Sequence, residues 1–131
     1  MTDLASLPNL PSRDLLGGEV VALDVKAGTA SIRFRPPEAM ANPNGTLQGG
    51  FILAMLDDVS GMLSWFAGGE KNFATSVATV NYLQPVAMQQ DLLADASIRS
   101  ADKKQLMIEA VLRVEGSDEP LARASLVNVF V

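Results

Sequence analysis

The spacing of apolar residues changes once along this chain, and it changes at the middle. Before residue 42 and after residue 72 the repeat is two. Thr29 to Arg35 sets Ala30, Ile32 and Phe34 against Ser31, Arg33 and Arg35, the pattern of a half-buried strand stopped by Pro36-Pro37. Val20 to Val25, within Glu19 to Val25, forms a strand ahead of it, and Lys26-Ala27-Gly28 turns one into the other. Phe73 to Leu83 is a long strand rich in Thr75, Val77, Thr79 and Val80, whose branched Cβ favours the pleated form, and Pro85 ends it. Asp91 to Arg99 is a further strand, and Ser100 to Lys104 a polar turn. Gln105 to Val114 alternates with Leu106, Ile108, Ala110 and Leu112 inward. Glu115 to Pro120 turns through Gly116, and Leu121 to Val131 closes the chain with Ala122, Ala124, Leu126, Asn128 and Phe130 on one face.

Between these strands the repeat lengthens to that of a helix. Asn42-Pro43-Asn44-Gly45 is a turn, Gly49-Gly50 follows, and from Phe51 to Phe66 there is no proline and one glycine, Gly61. The spacing predicts one long helix from Gln48 or Gly49 to Phe66. At 100° per residue, Ile52, Met55, Val59, Met62, Leu63 and Phe66 form its core stripe. Asp57 falls opposite, among the small residues Gly50, Ala54, Gly61 and Ser64, while Asp58 sits at the edge of the apolar stripe. A carboxylate on such a face is either solvated or placed in a cleft, with room left for a substrate or a second subunit.

Two strands, a helix and four strands joined by short loops predict an α+β fold: an antiparallel sheet of five or six strands curled round one long helix. Residues 1–17, with Pro8, Pro11 and the Gly17-Gly18 turn at their end, form an arm of weak structure in which Ser12 to Leu16 is one helical turn. The whole of 1–131 is expected to be one domain.

Composition narrows the chemistry. The chain has 131 residues, 48% of them hydrophobic, and a net charge of −5, so disorder and nucleic-acid binding are both disfavoured. Cysteine and histidine are both absent. That removes thiolate catalysis, Ser-His-Asp triads and His- or Cys-based metal sites, and leaves acid-base work to carboxylates, Lys, Tyr or water. The N-terminal stretch lacks the pattern of a signal peptide, and no window holds about 18 uninterrupted apolar residues, so the expected location is cytoplasmic with no membrane partner.

Asn42-Pro43-Asn44-Gly45-Thr46-Leu47-Gln48-Gly49-Gly50 entering a helix, Asp57 eight residues after Gly49, and Thr75-Ser76-Val77 through Tyr82-Leu83-Gln84-Pro85 resemble the hotdog-fold acyl-CoA thioesterases, in particular their phenylacetate-pathway branch. The resemblance spans about residues 15–131. It implies hydrolysis of acyl-CoA to free acid and coenzyme A, with no metal or other cofactor, in a homodimer or homotetramer. Asp57, Gly49, Asn42 and Thr75 take the catalytic positions, and Gln48, Gly50 and Asp58 the substrate-binding ones. The family usually has His-Gly-Gly where this chain has Gln48-Gly49-Gly50. An amide hydrogen-bonds but does not titrate near neutrality. That departure keeps an alternative open, a non-catalytic acyl-CoA binding protein; a hydratase would need an Asp-His pair that this chain lacks.

In that mechanism the Gly49 N–H lies in the first turn of the helix, where amides lack helical partners and the dipole is positive, and it polarises the thioester carbonyl. Asp57 is general base or nucleophile. Eight residues at about 1.5 Å rise put the two about 12 Å apart along the axis, too far to act on one carbonyl. In the family a partner's helix supplies the aspartate. Each position also has a plainer explanation: a tight helix entry for Gly49-Gly50, a turn cap for Asn42, a β-branched strand residue for Thr75, and a local ion pair for Asp58. Trp65, Met55 and Met62 are assigned to the core in preference to an acyl pocket.

Overall fold

The computed structural model describes Leu4, Leu7, Pro8 and residues 10–131. Its elements are a short helix α1 (Pro11–Leu15), strands β1 (Gly18–Asp24) and β2 (Thr29–Phe34), and the long helix α2 (Gly49–Ala67). Strands β3 (Phe73–Tyr82), β4 (Leu92–Ala101), β5 (Gln105–Val114) and β6 (Pro120–Phe130) follow. The six strands form one antiparallel sheet in the order β1-β2-β4-β5-β6-β3. The fold is the expected α+β hotdog, a curled sheet round one helix, and every predicted strand and helix boundary lies within two residues of the observed one.

The turns have local causes. Asp24 Oδ1 accepts the Ala27 N–H and Gly28 takes φ +69°, closing β1 on β2. Asp102 Oδ1 accepts the N–H groups of Lys104 (2.8 Å) and Gln105 (2.9 Å), closing β4 on β5. At the entry to β1, Gly17 has φ +72°, and a Cβ there would lie 2.1 Å from the Arg35 carbonyl oxygen, so only glycine fits.

The chain does not lay its strands down in spatial order. After α2 it places β3 at the far edge, returns to β4 beside β2, and then zigzags through β5 and β6 until β6 meets β3. This wraps the sheet about α2. Met55, Leu56, Val59 and Leu63 of the helix are fully buried against Ile32, Phe34, Leu92, Ile108, Leu112 and Leu126 of the sheet. With 19 residues and a mean hydropathy of 1.3, α2 is long and apolar enough to cross a membrane, but here its Met55, Leu56, Val59 and Leu63 are buried against the sheet.

Wrapping also explains where the one-stripe description of α2 falls short. Leu56, Ser60 and Ser64 are buried too, and Phe66 is only half-buried. Ser64, expected beside Asp57 on the small face, is inside because the end of β6 closes over that part of the helix: its hydroxyl accepts a 2.7 Å hydrogen bond from Asn128 Nδ2.

Candidate active site

Asp57 lies near the middle of α2 and is half-buried. The Thr75 hydroxyl, on β3, donates a 2.9 Å hydrogen bond to its Oδ1. The register of β3 on β6 shifts between Thr75 and Val77, a bulge at Ser76 that re-aims the strand where it passes the aspartate. Directly behind, Thr75 pairs in register with Asn128, which is fully buried. Asn128 Nδ2 donates to Ser60 Oγ at 3.0 Å as well as to Ser64, while its Oδ1 has no partner among the described residues. A buried polar patch thus ties β6, and through it β3, to the turn of α2 that follows Asp57.

Asp58, the next residue, has a different fate. Arg13 of α1 grips it with two parallel bonds, Nε to Oδ2 at 2.9 Å and Nη2 to Oδ1 at 3.0 Å. The side chains are only 8% and 12% exposed, so this is a buried, bidentate pair. Both oxygens of Asp58 are occupied, and the sequence contained no local signal for a partner 45 residues away. The pair offsets one of two adjacent carboxylates and leaves Asp57 as the one facing Thr75.

Asp57, Asp58, Gly61 and Thr75 line one cleft of about 960 Å³. Met62, Trp65, Phe66 and Phe73 give it an apolar wall, and Leu7, Leu10 and Leu16 another. Met55 and Met62 are core as expected, Met62 with one side on this space, whereas Trp65 is only half-buried and lines the cleft instead of the core. Gly61 has its own packing role: a Cβ there would be 3.2 Å from Phe73 Cζ, so the glycine lets that ring lie on the helix.

The start of α2 is built as a donor site. Phe51 and Ile52 N–H groups both bond the Gln48 carbonyl, and the N–H groups of Gly49 and Gly50 have no partner among the described residues. Gln48 is exposed, and its side chain makes no capping bond. A Cβ on Gly50 would meet nothing within 4 Å, while one on Gly49 would lie 3.3 Å from the Tyr82 ring. Tyr82, the only tyrosine, donates from its hydroxyl to the Gly49 carbonyl at 2.9 Å and holds the helix entry from β3. Asn42 organises the preceding loop: its Oδ1 accepts from the N–H groups of Asn44 (3.0 Å) and Thr46 (3.1 Å), and its Nδ2 donates to Thr46 Oγ1.

The structure thus brings Asp57, Asp58 and Thr75 together, and separately gathers Asn42, Gln48, Gly49 and Gly50 about the start of α2. Among the described residues no group of three or more carboxylates could hold a metal ion.

Residues 44–121 match the family model of the thioesterase superfamily, and the chain belongs to that family. It is similar over 96% of its length to a putative thioesterase, a phenylacetic acid degradation-related protein of Ralstonia eutropha JMP134 (26% identity, TM-score 0.87, 95% of that chain covered). Its fold also matches the E. coli PaaI protein of the phenylacetic acid degradation operon (18% identity, TM-score 0.85, 94% of this chain and 86% of that one). The same holds for smu.793 of Streptococcus mutans UA159, solved bound to acetyl CoA (18% identity, TM-score 0.79, 87% and 88%). No curated protein matches the chain.

Proposed function

We propose that this protein hydrolyses acyl-CoA thioesters in an active site shared between two copies of the chain. The observation that carries the proposal is Asp57, hydrogen-bonded by Thr75 at the wall of an apolar cleft. Thioesterase family membership and the acetyl CoA bound to the S. mutans relative support the substrate class.

Asp57 takes a proton from water, and the water oxygen attacks the thioester carbonyl. Thr75 holds one carboxylate oxygen so that the other faces the water. The oxyanion that forms meets the Gly49 N–H of a partner's helix, a donor worth about 3 kcal/mol in the transition state. Collapse breaks the carbon–sulfur bond, and the proton held by Asp57 goes to the departing thiolate. Products are the free acid and the thiol. Direct attack by Asp57 would instead pass through an anhydride, which water then opens to the same products.

A second copy is needed because one helix separates Gly49 from Asp57 by about 12 Å. The edge strand β3 supports it. Eight of its ten residues are exposed, on both faces, including Val77 and Tyr82, and its outer hydrogen-bonding edge is unpaired. An unprotected edge of this kind is a pairing surface.

Purified protein mixed with acyl-CoAs from phenylacetyl to palmitoyl should release free thiol, and Asp57→Ala should lower that rate by roughly 10²- to 10⁴-fold while staying folded. Full activity in the variant would refute the role of Asp57. Saturable binding without thiol release would favour the non-catalytic alternative that Gln48 keeps open.

A further inference from the structure

The described part of the N-terminal arm, residues 10–17 with Leu7, is more securely attached than its proline-rich sequence implies. Arg13 is the one buried residue of α1, and its pair with Asp58 locks the arm to α2. Its stem lies on the backbone of β1: a Cβ at Gly18 would sit 2.7 Å from Arg13 Cγ and 2.7 Å from a Phe34 ring carbon. Leu16 is core, and Leu7 packs against the core from outside. Buried ion pairs contribute little net stability, because desolvation offsets their attraction; what this one supplies is a fixed position for the arm.

That position places Leu7, Leu10 and Leu16 across the cleft from Met62, Trp65 and Phe66, with Asp57 and Thr75 lining the same space. Trp65 is eight residues beyond Asp57 on α2, about 12 Å along the axis. An extended hydrocarbon with bonds of about 1.5 Å covers that distance in roughly nine or ten carbons. Glu70, just past the helix, is the charged member of the lining at that end. Volumes of roughly 300–1,000 Å³ with mostly apolar walls are those of ligand sites, and this cleft lies in that range.

We infer that the clamped arm is the outer wall of an acyl-chain chamber, and that the protein selects unbranched apolar acyl groups of about eight to twelve carbons. The inference rests on the thioesterase reading of Asp57 for the orientation of the ligand, with its carbonyl at Asp57 and its chain running toward Trp65. Each buried methylene then raises kcat/KM by roughly fourfold until the chamber is full.

The chain's single tryptophan reports on the chamber without any need for turnover. Titration with decanoate should change Trp65 emission and saturate, whereas coenzyme A alone should leave it unchanged. Leu10 precedes Pro11 at the N-cap of α1, a position where Asp is favoured over Leu, so Leu10→Asp keeps the arm folded while placing a carboxylate in the apolar wall. It should weaken decanoate binding roughly tenfold or more and lower the ratio of decanoyl-CoA to acetyl-CoA turnover by a similar factor. Acetyl-CoA turnover with a flat chain-length profile and a silent Trp65 would overturn the chamber but leave the hydrolase intact. A saturable Trp65 response that Leu10→Asp weakens, with no turnover of any acyl-CoA, would uphold the chamber and overturn the hydrolase. A Leu10→Asp protein that binds decanoate like the wild type would overturn the role of the arm.

Discussion

Thr75 Oγ1 lies 2.9 Å from Asp57 Oδ1, a single hydrogen bond that joins the edge strand of the sheet to the middle of the central helix. It holds the carboxylate from the side and leaves Oδ2 without a hydrogen-bond partner among the described residues. The bulge at Ser76 and the buried Asn128–Ser60–Ser64 patch hold the strand where it can make that bond.

On the mechanism proposed for Asp57, Thr75→Ala should lower kcat by roughly 10- to 100-fold with KM little changed, because only the orientation of the proposed base is lost. Thr75→Ser keeps the hydroxyl and should recover most of the rate. Steady-state kinetics on the two variants checks this; equal losses in both would mean that Thr75 acts through strand packing.

Arg13→Ala leaves the Asp58 carboxylate buried without its partner. The variant should lose about 3 to 5 kcal/mol of stability in urea unfolding. Replacing Arg13 and Asp58 together by apolar residues of similar volume should recover most of it. A double variant as unstable as the single one would show that the pair stabilises by more than mutual compensation.

Asp102 supplies a pH dependence of known sign. The Lys104 and Gln105 N–H groups it accepts hold its carboxyl below the ordinary value of 3.8. A folded-state value lower than the unfolded one stabilises fully above about 3.8 and is lost as pH falls through the depressed folded-state value. The protection factors of the Lys104 and Gln105 amides, taken against the intrinsic exchange rate at each pH, should thus fall at acid pH, and Asp102→Asn should remove that pH dependence. A turn equally protected on both sides of that range would contradict the assignment.

How much of this was legible in the sequence follows from what each signal depends on. Periodicity is local, so the strands and α2 emerged nearly residue for residue; Leu106, Ile108, Ala110 and Leu112 are all buried as their alternation required. That Asp57 and Thr75 belong to one site was expected from the resemblance alone, and the bond between them was not foreseen, since neither residue carries a signal for the other. Contacts that depend on the curl of the sheet were invisible. Arg13 sits in an arm that appeared loosely structured, and nothing near it specified Asp58. Ser64 was placed with Asp57 by angle, but the sheet buries it, because a helix wrapped by strands has more than one inner face. Asn128 stood in the inward pattern of β6, a buried amide among apolar neighbours, and that was the available sign of the patch behind Thr75.

In the proposed shared site, Asp57 of one copy and the Gly49 N–H of another act on the same carbonyl. Gly49→Pro removes that N–H at the first helical position, where proline is tolerated and Gln48 already has a compatible extended backbone (φ −60°, ψ 133°). Alone, Gly49→Pro should lower kcat by roughly 10²- to 10³-fold, and Asp57→Asn should be equally impaired or worse. Thiol release should then be measured on dimers reassembled from an equal mixture of the two variants. A shared site predicts recovery to about one quarter of wild-type activity, because half the dimers are mixed and each of those holds one intact site. No recovery above the separate variants would contradict a site built from two copies.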